Sequence, residues 1–459
     1  MKINDVITDD NQNIAKNFNN YFSQIGPNLA NAIPRIEKSF KCFLTNKNPI
    51  SLSFTQTNAV EVIKIVQGFK KNKSPGYDDI SNDLLKEIID EIIVPLEHVL
   101  NLSIINGQVP DKMKIAKVVP IYKKGDPLNI ANYRPISLLS SISKILEKII
   151  YDRTITFVRN CNLLSDSQFG FRQKHSTTHA ILNFVNHIAT AIDNHLHTLG
   201  IFLDLSKAFD TIDHEILLFK LSHYGVRGKA LEWYKSYLTG RNQFVSINSA
   251  NSNYASMTCG VPQGSLLGPL LFILYINDLQ NSSRILSFIL FADDTSVFFS
   301  HRNPDVLVNT VNTELASINQ WICCNKLSLN VQKTHCMLFS NSVSFLPSNV
   351  SLNDSVIQMV DSTKFLGLNI DNKLSWKEHI MYLSKLLSRN VGVINKLKFS
   401  FPSNILLNLY NTIVLPYLNY GLLVWGNSTR NQMDRLLLLQ KRIMRIVCHQ
   451  NRLAHTNAY

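Results

Sequence analysis

Phe291-Ala292-Asp293-Asp294 closes one largely apolar run, Ile285 to Phe291, and is followed by another, Val297 to Phe299. Runs of this length and composition read as buried strands, here joined as a hairpin. Two adjacent carboxylates at the end of a buried strand are costly unless positive charge meets them. The same anomaly occurs about 90 residues earlier, where the apolar stretch Gly200-Ile201-Phe202-Leu203 ends in Asp204. Either segment alone could simply cap or turn the chain. Together they predict two neighbouring strands that bring carboxylates close, an arrangement that needs a cation to offset like-charge repulsion. Carboxylate oxygens with no His or Cys beside them select Mg²⁺ or Mn²⁺ over zinc. Two such ions roughly 3.5 to 4 Å apart are the apparatus of nucleotidyl transfer, one activating a 3′-hydroxyl and the other holding the leaving pyrophosphate.

Composition narrows the classes of function. The chain has 459 residues, enough for two or three subdomains, and a net charge of +13 that points to a polyanionic partner. From Lys373 onward there are 12 Lys and Arg against 2 Asp and Glu, so +10 of that excess lies in the last 87 residues. A basic appendage of this kind suits gripping a nucleic-acid backbone. The seven cysteines are odd in number and show no C-x-x-C spacing, which argues against a disulfide framework or a zinc ribbon. Met1-Lys2-Ile3-Asn4-Asp5 lacks the apolar core of a signal peptide, and the longest apolar runs fall short of the ~20 residues of a membrane span. The expectation is a soluble, intracellular protein with no membrane partner, its nuclear or cytoplasmic location open.

Periodicity predicts helices through residues 1–105, a short strand at Val118 to Tyr122 entering the basic turn Lys123-Lys124-Gly125-Asp126, and a helix from Ser143 to about Arg159. A strand at Leu199 to Leu205, helices across Leu217 to Leu238, a strand at Gln243 to Ile247, a buried helix from Leu267 to Leu279, and a helix from Val306 to Asn325 follow. Short strands are expected around Cys336 to Phe339 and Phe365 to Ile370, then helices after Ser375. Helices interleaved with a small antiparallel hairpin predict an α+β fold.

Four segments, Asn132-Tyr133-Arg134-Pro135-Ile136-Ser137, the Asp204 stretch, Gly260-Val261-Pro262-Gln263-Gly264-Ser265 and Phe291-Ala292-Asp293-Asp294, stand in the order found in reverse transcriptases. The chain resembles those of non-LTR, LINE-type retrotransposons, most closely the Jockey-like group. Gln168-Phe169-Gly170-Phe171-Arg172, Phe365-Leu366-Gly367 and Leu415-Pro416-Tyr417-Leu418-Asn419-Tyr420-Gly421 also match that group, so the likeness covers nearly the whole chain.

The resemblance implies a right-hand polymerase with fingers, a palm of antiparallel sheet plus helices, and a helical thumb. Residues 1–105 would be an N-terminal helical extension, 106–372 the fingers and palm, and 373–459 the basic thumb or C-terminal region. It implies an RNA-directed DNA polymerase acting on an RNA template, a DNA primer or RNA–DNA duplex, and dNTPs. Asp204 and Asp293 would hold two Mg²⁺ or Mn²⁺ ions, with Asp294 in support. Phe209 falls at the steric gate against a 2′-hydroxyl, although it also reads as a core aromatic. Lys123 and Arg134 stand where the family holds the triphosphate, Lys117 and Lys124 being competitors for the first role. Gln263 and Gly264 resemble the contact to template base and nucleotide. Lys333 stands where a lysine protonates pyrophosphate, and otherwise reads as a surface lysine. Phe365-Leu366-Gly367 would be the primer grip. Asp210 reads as a structural hydrogen bond or a helix cap.

In the basic region Lys385, Arg389 and Lys396 form a stripe apart from the apolar face Ile380, Leu383, Leu387, Val391, Ile394. That stripe is expected to follow a duplex backbone. The opening Asn17 to Gly26 resembles the connector that follows an endonuclease in this group, so a truncated element without endonuclease is expected. A catalytically silent nucleic-acid-binding remnant of the same fold is the alternative, and the bulk of Phe209 disfavours an RNA-dependent RNA polymerase.

Overall fold

The computed structural model describes residues 1–3, 6–34, 36–340, 349–352, 355–451 and 454. The chain divides into two compact units, each assembled from separate stretches of sequence. The first contains Met1–Phe171, Leu205–Arg284 and Ala316–Asn330, and the second Arg172–Asp204, Ile285–Leu315 and Val331–Tyr459. Both combine helices with largely antiparallel sheet, the α+β class expected from the sequence. Among the described residues no helix is long and apolar enough to cross a membrane.

The first unit is built around a five-stranded sheet. Strand Ile115–Tyr122 lies between antiparallel Tyr133–Leu139 and parallel Arg241–Ile247, and Arg241–Ile247 also pairs with Ala250–Asn251 and Ala255–Met257. Alternation decides which side chains go inside. Ala116, Val118 and Leu139 are buried with Val245 against Ile14, Ala15, Phe18 and Phe22 of helix Asn11–Asn31. Asp10 starts that helix, its carboxylate accepting from the N–H groups of Gln12 and Asn13. The periodic helix expected from Ser143 spans Ser141–Asn160. The expected Leu217–Leu238 helix is two, His214–His223 and Lys229–Leu238, because Gly225 and Gly228 take positive φ between them. The wholly apolar helix Gly268–Tyr275 is buried all round but ends earlier than its hydropathy suggests. Asp278 beyond it is committed to a buried ion pair with Lys220, Nζ to Oδ1 2.5 Å.

The second unit holds a sheet in the order Gln358–Met359, His335–Phe339, His197–Asp204, Asp294–His301, Ser287–Phe291. All pairs are antiparallel except the first. Helix Thr177–Asp193 packs on it through Phe184, whose ring meets those of Phe202, Phe298, Phe339 and Phe365 at centroid distances of 5.0 to 5.8 Å. The single strand expected around Phe365 to Ile370 is instead a hairpin, Ser362–Phe365 with Leu368–Asp371. Leu366 and Gly367 have φ of 43° and 94°, which forces a two-residue reversal. Asp371 then accepts from the N–H groups of Lys373, Ser375 and Trp376, turning the chain into helix Lys377–Leu397. Helices Ser403–Ile413 and Arg430–Val447 pack on that helix, as the helical reading after Ser375 predicts.

Candidate active site

In the second unit, Asp204 is the last residue of its strand and is paired in register with Asp294, the first residue of the next. Directly opposed residues of an antiparallel pair project from the same face, so the two carboxylates share one side of the sheet. Asp293 sits in the two-residue turn before Asp294, beside Ala292, a buried non-glycine held at φ 56°. That conformation costs about 1 to 2 kcal/mol, and strain of this kind concentrates where a side chain has to be aimed. Asp293 and Asp294 are exposed and Asp204 half-exposed, so all three carboxylates face solvent. The Lys333 ammonium lies 3.6 Å from Asp204 Oδ2, and the Asp204 N–H donates to Thr334 Oγ1 at 3.3 Å. The sequence expectation that strands bring Asp204 and the Asp293-Asp294 pair together therefore holds in the geometry, with Asp294 directly opposite Asp204.

All the donors are carboxylate oxygens, a set that suits a hard divalent cation. Among the described residues no three His, Cys, Asp or Glu side chains are grouped so that they could hold a metal ion by themselves. A cation held there would take the rest of its oxygen ligands from substrate and water.

The first unit carries the other sequence-predicted residues. Arg134 is exposed on strand Tyr133–Leu139 opposite Ile121, and the Lys123 N–H donates to Asn132 O at 2.9 Å, continuing the ladder. The two-residue period places Lys123 and Arg134 on the same face of this hairpin. Of the competing lysines, Lys117 is engaged by Asp79 at 3.7 Å, and Lys124 lies out of phase in the turn.

Phe209 is half-buried. Its ring stacks on Phe272 at 4.6 Å and meets the edge of Phe171, from the Gln168-to-Arg172 segment, at 6.5 Å. It is thus packed against core aromatics and still partly exposed.

The Gln263 loop is held by several backbone hydrogen bonds. Gly260 N–H donates to Ile212 O at 2.8 Å, Val261 N–H to Phe209 O at 2.9 Å, and Ser137 N–H to Gln263 O at 2.8 Å. At Gly264, φ is 132° and a Cβ would stand 2.4 Å from Ser137 O, so only glycine fits. Gln263 Nε2 donates to both oxygens of Asp210, at 2.8 and 3.0 Å, which makes Asp210 a structural hydrogen-bond partner rather than a cap.

Sequence reasoning missed two anchors. Buried Glu147 accepts from Leu266 N–H and Tyr237 O–H, both at 2.7 Å, and burial raises its carboxyl pKa above the usual range. A charge among Ile145, Leu146, Ile149 and Ile150 on the apolar face of its helix was the readable signal. The second is Tyr420, whose hydroxyl donates to Leu366 O in the Phe365-Leu366-Gly367 turn, while Trp425 Nε1 holds Tyr420 O at 2.8 Å.

The family model described as reverse transcriptase (RNA-dependent DNA polymerase) matches residues 121–370, more than half of the chain. The chain belongs to the reverse transcriptase family. The matched span contains every candidate named above from Lys123 to Gly367 and leaves Lys385, Arg389 and Lys396 outside it. It is similar to the RNA-directed DNA polymerase from mobile element jockey of Drosophila melanogaster, 29% identical over 416 residues, 88% of this chain and 45% of that protein. It is also similar to the probable RNA-directed DNA polymerase from transposon X-element of the same species, at 29% over 87% of this chain and 44% of that one. A Pol polyprotein from the type-1 element R1 of Bradysia coprophila is 25% identical over 85% of this chain and 39% of that protein. The reverse transcriptase chain thus spans less than half the length of these relatives.

Proposed function

We propose that this chain is an RNA-directed DNA polymerase, extending a primer 3′-hydroxyl with dNTPs on an RNA template. The observation that carries the reading is the register that sets Asp294 opposite Asp204 with Asp293 in the adjoining turn. Asp204 and Asp293, supported by Asp294, would hold the catalytic cations. When bound, two Mg²⁺ or Mn²⁺ ions supply Lewis-acid activation of the hydroxyl and neutralise charge on the departing pyrophosphate. Lys333 delivers a proton to the leaving group. Arg134 and Lys123 hold the triphosphate from one face of their hairpin, the guanidinium suiting bidentate phosphate contact. Gln263 and Gly264 contact the template base and nucleotide, and the Phe365-Leu366-Gly367 turn guides the primer end. In this reading residues 106–372 are fingers and palm, and 373–459 the thumb.

Purified protein given poly(rA)/oligo(dT), Mg²⁺ or Mn²⁺ and labelled dTTP is expected to extend the primer, and an Asp293→Asn, Asp294→Asn double variant is not. Binding of the primer–template without extension by the wild type would support a non-catalytic binding protein instead.

The stacked, half-exposed ring of Phe209 acts as the gate. Phe209→Val is expected to lower discrimination between dTTP and UTP by at least ~10-fold in the ratio of kcat/KM values. Unaltered discrimination would return Phe209 to a purely structural role.

Lys385, Arg389 and Lys396 are exposed on helix Lys377–Leu397, away from buried Ile380, Leu383, Leu387, Val391 and Ile394, and have no acidic partner among the described residues. Reversing all three charges is expected to weaken primer–template binding and to reduce the slope of log K against log salt by about 2 to 3, near 0.9 for each phosphate no longer neutralised. Equal slopes for wild type and variant would remove the stripe from the interface.

A further inference from the structure

The side-chain amide of Gln263 is oriented from within the protein, and its orientation carries information. Its nitrogen lies between the two Asp210 oxygens, at 2.8 and 3.0 Å. Its Oε1 accepts no hydrogen bond among the described residues and is not among the enclosed polar atoms. The reverse orientation would set an amide oxygen against a carboxylate, so an ionised Asp210 admits only one of the two.

Asp210 itself is held from several sides. Its N–H donates to Lys207 O at 2.8 Å, and its carbonyl oxygen lies so close to helix Asn11–Asn31 that a Cβ on Gly26 would stand 2.3 Å away. Phe209 and Ile212, on either side, accept the Val261 and Gly260 N–H groups. The same short segment therefore fixes the proposed gate and the proposed template-contact loop.

We propose that Asp210 is a positioning residue for the incoming nucleotide: its carboxylate clamps the Gln263 amide nitrogen inward, so that Gln263 presents only a hydrogen-bond acceptor to the nucleic acid. This rests on the polymerase reading above. An acceptor facing outward selects a donor on the template or nucleotide, and an amide free to flip would select nothing. Desolvation raises the Asp210 carboxyl to about 6, against the lowering effects of the Gln263 hydrogen bond and Lys207. The other titratable groups facing it are Tyr21 from helix Asn11–Asn31 and the Cys259 thiol, both pushed up by burial first and by the Asp210 charge second. Above about pH 6 the ionised carboxylate fixes the amide, and below it a protonated Asp210 can donate as well as accept and lets the amide reverse.

The test has two arms. In substrate-free protein, Asp210→Asn, Gln263→Ala and the double variant are compared by urea unfolding, where the double variant is expected to be no less stable than the weaker single one. Additive losses would show that the pair is not coupled and overturn the clamp. In primer extension on poly(rA)/oligo(dT), Asp210→Asn is expected to raise KM for dTTP roughly 10-fold with kcat within about threefold. In a Gln263→Ala background the same change is expected to have no further effect. Wild-type KM should rise as pH falls through about 6, and this limb should vanish in Asp210→Asn. Extension with effects that multiply overturns the positioning role and leaves the polymerase reading intact. Coupled unfolding in a wild type that extends no primer overturns the polymerase reading and the nucleotide role with it.

Discussion

Asp204→Asn and Asp293→Asn are each expected to lower the primer-extension rate by ~10³-fold or more, while primer–template binding stays within about twofold. A factor of 10³ is about 4 kcal/mol of transition-state stabilisation, the scale expected for losing a carboxylate that, as proposed, would hold a catalytic cation. Asp294→Asn is expected to lose less, about tenfold, because the proposed mechanism gives it a supporting role and not that of a principal ligand. The fold gives an internal control. Asp204 and Asp294 are like charges directly opposed across two strands, an arrangement that destabilises a sheet, with Lys333 at 3.6 Å from Asp204 offsetting part of it. The unfolding midpoint of each variant in metal-free buffer is therefore measured alongside extension. Loss of extension accompanied by a lowered midpoint would assign these carboxylates to folding. Equal losses for Asp293→Asn and Asp294→Asn would reassign Asp294 as a ligand of the same rank.

The second large effect concerns stability. Asp278→Ala is expected to cost about 3 to 5 kcal/mol and to lower the thermal midpoint by roughly 5 °C. Lys220 and Asp278 are both buried, and Lys220 Nζ also donates to Tyr275 O at 2.6 Å over the Tyr275 and Trp321 rings. Asp278 additionally accepts from Trp321 Nε1 at 3.2 Å. Removing it leaves an ammonium with one carbonyl and two ring faces, in surroundings that already lower the lysine's pKa by desolvation. Replacing both residues by apolar ones, Lys220→Met with Asp278→Leu, should recover most of the loss, because the penalty comes from the uncompensated charge. A double variant as unstable as Asp278→Ala would show that the pair fixes the packing of the helices it joins.

What could be read from the sequence follows the range of the interactions. Strand ends bearing Asp204 and Asp294 were legible because an apolar run that terminates in a carboxylate is a local anomaly. Helices such as Asn11–Asn31 and Lys377–Leu397 were legible because amphipathic periodicity is local as well. The turn at Leu366–Gly367 was half visible, since glycine marks a reversal but a leucine at φ 43° gives no warning. Hydrogen bonds such as Ser137 to Gln263, Tyr420 to Leu366 and Trp321 to Asp278 join residues far apart in sequence and leave no periodic trace. Glu147 lies between these cases: its place on a buried helix face was available from the pattern, its partners were not. Asp210 was read as structural, and the structure identifies its partner as the Gln263 amide.

The chain passes between the two units after Phe171, Asp204, Arg284, Leu315 and Asn330. Ribosomal synthesis therefore delivers their parts in alternation. The strand ending in Asp204 is made well before the strand that pairs with it, and at ~5–20 residues per second the wait for Asp294 is roughly 5 to 20 s. Until then Leu199 to Leu203, a run of apolar residues with open backbone edges, has no sheet on that side, which is the condition under which nascent chains associate wrongly. Nascent-chain yield, rather than the chemistry of the finished site, is where slower translation or a missing chaperone should act first. Neither unit can be expressed as one uninterrupted fragment, so a version of this chain reduced to one unit would have to be obtained by rejoining segments.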